Sequence, residues 1–225
     1  MVNNYNDFIE VLMDAGFSMA GGGNEGIFAI INHGWNEEVD SPIQWHTEDP
    51  ETDPWEWRMR VLNERDDISY SKIFFKKTGF ITREWYPYFL SARRRGLTFE
   101  EAYESGKMSH FAKRIFEAVE GADTLSVPEI KRVAGFGKDD KSAFDKALTE
   151  LQMGMFTTIC GRKHNPNNNN WSATVFCTTE HFWGADVFAE ADGISSEAAA
   201  EKIWEQVLRL NPNATDKKIQ KFIFG

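Results

Sequence analysis

The sequence predicts an α+β fold with a winged helix-turn-helix in the C-terminal half and a mixed helix and strand N-terminal half packed on it. Three observations carry this prediction. Apolar residues recur at helical spacing in short segments that begin and end with capping residues, so helices of ordinary length are expected along the whole chain. Runs rich in branched and aromatic residues, notably Tyr70 to Phe75, Met155 to Gly161 and Trp171 to Thr179, read as strands. From Ser109 onward, three helical segments precede two strands joined by a long polar tip, which is the order of a winged helix. Two regions follow, 1–97 and 98–225.

The first element is a helix from Asn4 to Gly16, with Phe8, Val11, Leu12 and Ala15 on one face and Gly16 at its C-terminal cap. Ala20 to Asn24 reads as a glycine-rich turn without the strand-to-helix context of a phosphate loop. Ile27 to Ile31 reads as a short buried strand. Asp53-Pro54-Trp55-Glu56 has the form of a helix start, with Asp53 as N-cap and Pro54 at the first helical position. That helix is expected to reach about Glu64 with Trp55, Met59 and Leu62 inward. After the strand from Tyr70, Thr82 is expected to cap a helix through Trp85, Phe89 and Leu90 that ends in Arg93-Arg94-Arg95-Gly96 and kinks at Pro87.

Thr98 to Ser105 forms a further short helix before the more regular half. Ser109 to Val119 should bury Phe111, Ile115 and Val119, and Ser126-Val127-Pro128-Glu129 opens a second helix. Gly135-Phe136-Gly137 turns into a third, Lys138 to Met153, with Phe144, Ala147, Leu148 and Leu151 at core spacing. The hairpin tip is Arg162-Lys163-His164 followed by an asparagine-rich run to Asn170. A helix from Ser195 to Leu210, with Ile203, Trp204, Val207 and Leu208 inward, and a basic segment from Lys217 to Phe224 close the order.

At 41% hydrophobic and 14% aromatic residues, the chain can bury a substantial core. No apolar run approaches the roughly 18 residues of a membrane span, and the first residues have no basic-then-apolar pattern of a signal peptide, so a cytoplasmic protein is expected. Two cysteines do not make a disulfide framework or a cysteine zinc site. The expected hairpin sets Cys160 opposite the region of Ala173 and Cys177 opposite that of Phe156, so reduced, partly buried thiols are expected. The net charge of −10 is concentrated: residues 1–60 hold 2 Lys+Arg against 12 Asp+Glu, and the rest of the chain is nearly balanced. A local basic face can therefore still meet phosphates.

One segment, Gln44 to Arg58, packs three tryptophans, five carboxylates, a histidine and two prolines into fifteen residues. Aromatic faces beside acids and an imidazole are the parts of a pocket for a planar polar ligand. Gln44, His46 and Glu48 are the candidate catalytic groups, and Trp45, Trp55 and Trp57 the candidate stacking platforms. The plainer account makes Asp53 and Glu56 capping residues and the tryptophans core. There is no His-x-x-x-His, no calcium loop and no Gly-x-Ser-x-Gly elbow, and neither metal nor cofactor is expected. For nucleic acid the candidates are Arg93, Arg94 and Arg95 with the tip residues Arg162, Lys163 and His164, beside Lys72, Lys76, Lys77 and Arg83. Lys138 to Met153 carries three lysines against four carboxylates and is a poor phosphate partner.

The string Trp45 to Arg58, with Lys72-Ile73-Phe74-Phe75-Lys76-Lys77-Thr78-Gly79-Phe80-Ile81 and Glu84-Trp85-Tyr86-Pro87, resembles the small bacterial proteins called AlkZ-related. That group is named for its similarity to winged-helix DNA glycosylases that excise alkylated bases and resolve some interstrand crosslinks. The resemblance implies duplex DNA or a damaged base as partner; from the sequence itself no membrane and no obligate protein partner are expected. Those glycosylases carry an early Gln-x-Gln or Gln-x-Asp motif. Gln44-Trp45-His46 could stand near it, with histidine at the third position. They are also larger, with tandem winged-helix units and a β-barrel, so the resemblance implies kinship and not a retained activity.

Overall fold

The structure is a computed structural model that describes residues 2–21, 23–31, 42–164 and 172–225, with only the backbone of His164. Helix α1 (Tyr5–Ala15) opens where the Asn4 side chain accepts the Asp7 N–H and closes at Gly16, whose φ is 82°. A Cβ at Gly16 would lie 2.1 Å from the Trp85 ring, so packing as well as backbone conformation demands glycine there. Strand β1 (Phe17–Met19) follows. Helix α2 (Pro54–Glu64), capped by Asp53, leads to β2 (Ile68–Phe74) and β3 (Lys77–Thr82). Helices α3 (Tyr86–Arg94) and α4 (Phe99–Glu104) come next.

The second half runs α5 (His110–Glu120), β4 (Leu125–Ser126), α6 (Val127–Val133) and α7 (Lys141–Met153), the last preceded by a 3-10 turn at Lys138–Asp140. Strands β5 (Thr157–His164) and β6 (Ser172–Thr178) form a hairpin. Four helices complete the chain: α8 (Thr179–Trp183), α9 (Ala185–Asp192), α10 (Ser196–Leu210) and α11 (Asp216–Phe224).

All strands join one antiparallel sheet in the order β1-β3-β2-β5-β6-β4, which draws on both sides of residue 97. Because side chains alternate across a strand, the sheet buries two cores. Phe80, Tyr70, Ile159 and Phe176 pack toward α1, α2 and α4 to α7, whereas Ile81, Ile73 and Phe17 pack toward α3 and α9 to α11. Gly79 lets the first three strands meet, since a Cβ there would lie 2.4 Å from the Phe74 ring and 2.9 Å from the Ser18 carbonyl.

Several expectations change. Ile27 to Ile31 is buried but forms no strand; a turn at Asn24 to Gly26 carries it past β1, and Ala29 alone bridges Met19. Val11, Phe111 and Leu208 lie on the solvent side of their helices, where α1, α5 and α10 bury Tyr5, Phe116 and Gln206 instead. Thr82 ends β3 and caps no helix. Pro87 falls in the first turn of α3, where a missing N–H costs nothing, so no kink arises. Strand β3 went unread because the β2–β3 turn is Phe75-Lys76, both at positive φ, and lacks the Asn-Gly signal of such hairpins. Helices α8 and α9 add to the expected order of elements.

The cysteines differ too. Ile159 pairs with Phe176 and Gly161 with Val175, which leaves Cys160 as the extra residue of a β-bulge. The bulge brings the Cys160 and Cys177 thiols into hydrogen-bond contact, and that contact lowers the Cys160 pKa and raises that of Cys177. Both are free, Cys177 buried and Cys160 half-buried. The expected start of the last strand at Trp171 and the asparagine tip from Asn165 lie outside the described residues.

Candidate functional site

Asp53 organises the tryptophan and acid segment. Its carboxylate is fully buried; Oδ1 accepts the Trp55 N–H at 2.8 Å, and Oδ2 accepts those of Thr47 and Glu48 at 2.9 and 3.1 Å. One side chain thus caps α2 and holds the loop before it. That loop is strained, since His46 and Glu48 both sit at φ 63°. Such residues cost on the order of 1 kcal/mol or more each, and the bonds to Asp53 offset part of that cost.

The three tryptophans have three different fates. Trp57 is fully buried, stacked on Phe8 with ring centroids 5.1 Å apart and edge-on to Tyr5, so it is a core residue and not a stacking platform. Trp45 is half-buried against the same core. Trp55, expected inward, is 40% exposed, and the Arg58 guanidinium carbon lies 3.2 Å from its ring centroid. The His46 ring lies 5.0 Å from Trp55 at an angle of 58°. Trp55 is therefore a support for Arg58 rather than a free face for a base.

Gln44, His46 and Glu48 are all exposed. None lines the cleft described below, and the main-chain N–H of Gln44 donates to the Thr52 carbonyl at 3.2 Å. The segment places these side chains outward because Asp53 gathers the backbone amides on its inner side. Among the described residues no three His, Cys, Asp or Glu side chains are grouped to hold a metal ion, and no helix is long and apolar enough to cross a membrane.

The arginine run is divided as well. Arg93 turns inward: Nε donates to the Ile223 carbonyl, Nη1 to those of Ile73 and Met153, and Nη2 to that of Phe222, at 2.6 to 3.0 Å. Burial lowers its pKa to about 10. Arg94 is 8% exposed and donates to Glu180 at 2.7 Å while lying over the Phe156 ring. Arg93 is a structural clamp bonded through all three of its nitrogens, and Arg94 is a buried charge paired with Glu180, its Nε donating to the Leu97 carbonyl. Arg95 caps α3 in a left-handed conformation and is exposed.

Arg162 and Lys163 lie elsewhere. Arg94 reaches Glu180 just past the base of the hairpin, where Thr157 pairs with Thr178, whereas Arg162 and Lys163 pair with Thr174 and Ala173 near its outer end. At about 3.3 Å per residue the two groups are separated by roughly 16 Å of strand, so they do not form one basic face. Lys163 donates to Glu129 at 2.5 Å. That contact and those with Ser126 hold the Glu129 carboxyl at about 2, and they tie the hairpin to the start of α6. The His164 side chain lies outside the described residues.

Arg162 borders a cleft of about 410 Å³ between α2, β2, the hairpin and α7. Arg58, Lys72 and Arg162 supply its positive charge, against Asp145 as the one lining carboxylate among the described residues. Arg58 is half-buried; its Nε donates to the Trp55 carbonyl at 2.7 Å, and the Tyr70 hydroxyl lies beside its guanidinium. Burial lowers its pKa, with the nearby charge of Arg162 contributing in the same direction. Gln152 on α7 closes the inner end, accepting the Lys72 N–H at 2.9 Å and donating to the Leu148 carbonyl at 3.0 Å. Sequence reasoning passed over Arg58, Tyr70 and Gln152. Only the spacing of Trp55 and Arg58, three residues apart on a helix, could have signalled the first.

The fold and site define a mixed helix and antiparallel-sheet protein with a cationic cleft where a hairpin meets a helix of the second half. The chain belongs to the AlkZ-related family, whose model, described as AlkZ related, matches residues 2–224. Among solved structures it is similar to the Streptomyces sahachiroi DNA glycosylase AlkZ, at 15% identity and a TM-score of 0.43, over 76% of this chain and 50% of that one. The chain thus spans half the length of that structure. No curated protein matches it.

Proposed function

We propose that residues 109–178 form a winged helix-turn-helix and that the protein binds duplex DNA through it, with the hairpin leading and without cleaving a glycosidic bond. The order of α5, β4, α6, α7 and the β5–β6 hairpin supports this reading, as does membership of a family named for a DNA glycosylase. The observation that carries it is the placement of exposed Arg162 at the outer end of the hairpin, with Arg58 and Lys72 across the cleft and Lys163, exposed but paired with Glu129, next to it. Positive charge collects there although the chain as a whole carries −10.

Helix α7 supports a lesser role for itself. Its inner face is core, Gln152 is bound to β2, and the turn before it carries Asp139 and Asp140 with Asp145 in its first half. Exposed Gln44, His46 and Glu48, none of which lines the cleft formed by the described residues, support a non-catalytic reading. Base excision needs a group that positions water beside an enclosed base. The test pairs two assays on the full chain. A labelled duplex should be retarded in a salt-sensitive manner, and methylated duplex should release no free base above a buffer blank. Salt-independent retardation would overturn the first part, and base release lost in Gln44→Ala the second.

A further inference from the structure

We propose that the cleft between α2, β2, the hairpin and α7 is a binding site for a small organic anion, with a flat apolar body of one or two fused rings and a single carboxylate or phosphate. The inference stands on the cleft alone and does not rest on the DNA reading.

Size comes first. At about 410 Å³ the cleft falls within the roughly 300 to 1,000 Å³ of small-ligand sites. Its walls are divided by chemistry. Phe144 and Leu148 from α7, Ile159 from β5, Phe176 from β6 and Met59 from α2 supply apolar surface, while Arg58, Lys72 and Arg162 supply the charge. The lining is divided about evenly between polar and apolar surface, so a ligand with an apolar body and a charged group would be held in one orientation.

The charged groups are incompletely satisfied. Nη2 of Arg58 is shielded from water and has no hydrogen-bond partner among the described residues. A buried guanidinium donor without an acceptor is costly, and the fork of N–H groups matches the two oxygens of a carboxylate or phosphate. Trp55 fixes that fork in place, with the guanidinium 3.2 Å from its ring centroid and Nε held by the Trp55 carbonyl. Arg162 adds a like charge close enough to act with burial in depressing the Arg58 pKa, while the Tyr70 hydroxyl and Glu56 act in the opposite direction. One anionic group between them would satisfy the free donor and relieve the repulsion together.

The balance of charge sets the class of ligand. Three cations against Asp145 suit one anionic group rather than a polyphosphate, and the apolar walls exclude a bare inorganic ion as the preferred occupant. Ser172 and Thr174 on β6 offer hydroxyls for a substituent on the ring.

Calorimetric titration of the full chain tests this with 1-naphthoate, 1-naphthyl phosphate, the neutral 1-naphthylmethanol and inorganic phosphate. Saturable binding of the naphthoate, the naphthyl phosphate or both is expected, at least tenfold tighter than of the alcohol or of inorganic phosphate. The ratio of the two anions decides between a carboxylate and a phosphate ligand. Arg58→Met and Arg162→Met should each weaken binding tenfold or more, with Arg95→Met unchanged; melting curves confirm that each variant is folded. If Arg58→Met fails to fold, Arg162→Met carries the test. No saturable heat at millimolar anion, or equal affinity for anion and alcohol, overturns the proposal. None of these measurements involves DNA, so failure here is distinct from failure of the DNA reading.

Discussion

Replacing Arg93 with methionine should cost the protein a large part of its stability. The side chain ties β2, α7 and α11 together through four carbonyls, those of Ile73, Met153, Phe222 and Ile223. Methionine keeps much of the apolar stem but leaves four acceptors without their donor. Each buried group left unpaired costs about 1 to 3 kcal/mol. The two carbonyls at the end of α11 can recover water, so a total of about 3 to 6 kcal/mol is expected. Set against the roughly 5 to 15 kcal/mol of a typical domain, that is a major loss. Urea denaturation followed by circular dichroism measures it, with Arg95→Met as the exposed neighbour expected to change stability by less than about 0.5 kcal/mol. A loss below about 1 kcal/mol for Arg93→Met would refute the assignment of Arg93 as a clamp and return it to the candidates for phosphate contact.

Three further outcomes follow. Asp53→Ala should lose about 2 to 3 kcal/mol through the lost cap and the freed Thr47 and Glu48 amides, whereas Asp53→Asn keeps the cap and loses less; faster hydrogen exchange at those two amides checks the cause. Glu129 has a folded pKa near 2, below the ordinary carboxyl value of about 4.3. Its contribution is therefore complete above that ordinary value and is lost as pH falls toward 2, so the difference in melting temperature between wild type and Glu129→Gln should shrink across that window. Gly79→Ala should destabilise the β1–β3–β2 end of the sheet, because the added methyl meets Phe74 and the Ser18 carbonyl; an unchanged melting temperature would argue against that close approach.

What was legible in the sequence was local. Asn4 and Gly16 mark α1, Asp53 and Pro54 mark α2, and Ser195 marks α10 because a cap is made between residues a few positions apart. Strand β3 was hidden by a turn whose two residues carry no turn signature, and Ile27 to Ile31 has the composition of a strand but meets the open edge of β1 at a single bridge, Ala29 to Met19, without extending a ladder. The arginine run shows the limit most plainly. Arg93, Arg94 and Arg95 are adjacent and chemically identical, yet their fates depend on Ile223, Met153 and Glu180, which are 60 to 130 residues away. The cleft escaped for the same reason, as its lining runs from Trp55 to Phe176. The segment from Gln44 to Arg58 did mark the right neighbourhood, but the group it contributes to the cleft is Arg58, supported by Trp55, and not the polar residues at its start.

The claim that the outer end of the hairpin carries nucleic-acid binding is tested most directly by anisotropy of a labelled duplex, titrated between low and physiological salt. Wild type, Arg162→Glu with Lys163→Glu, and Arg95→Glu are compared. A few phosphate contacts predict that the logarithm of affinity falls against that of salt with a slope of about −2 to −4. The double reversal should weaken binding at least tenfold and flatten the slope by about 1 to 2, the lower figure if Lys163 stays paired with Glu129, while Arg95→Glu follows wild type. Loss of binding in Arg95→Glu with the double variant unchanged would contradict the account.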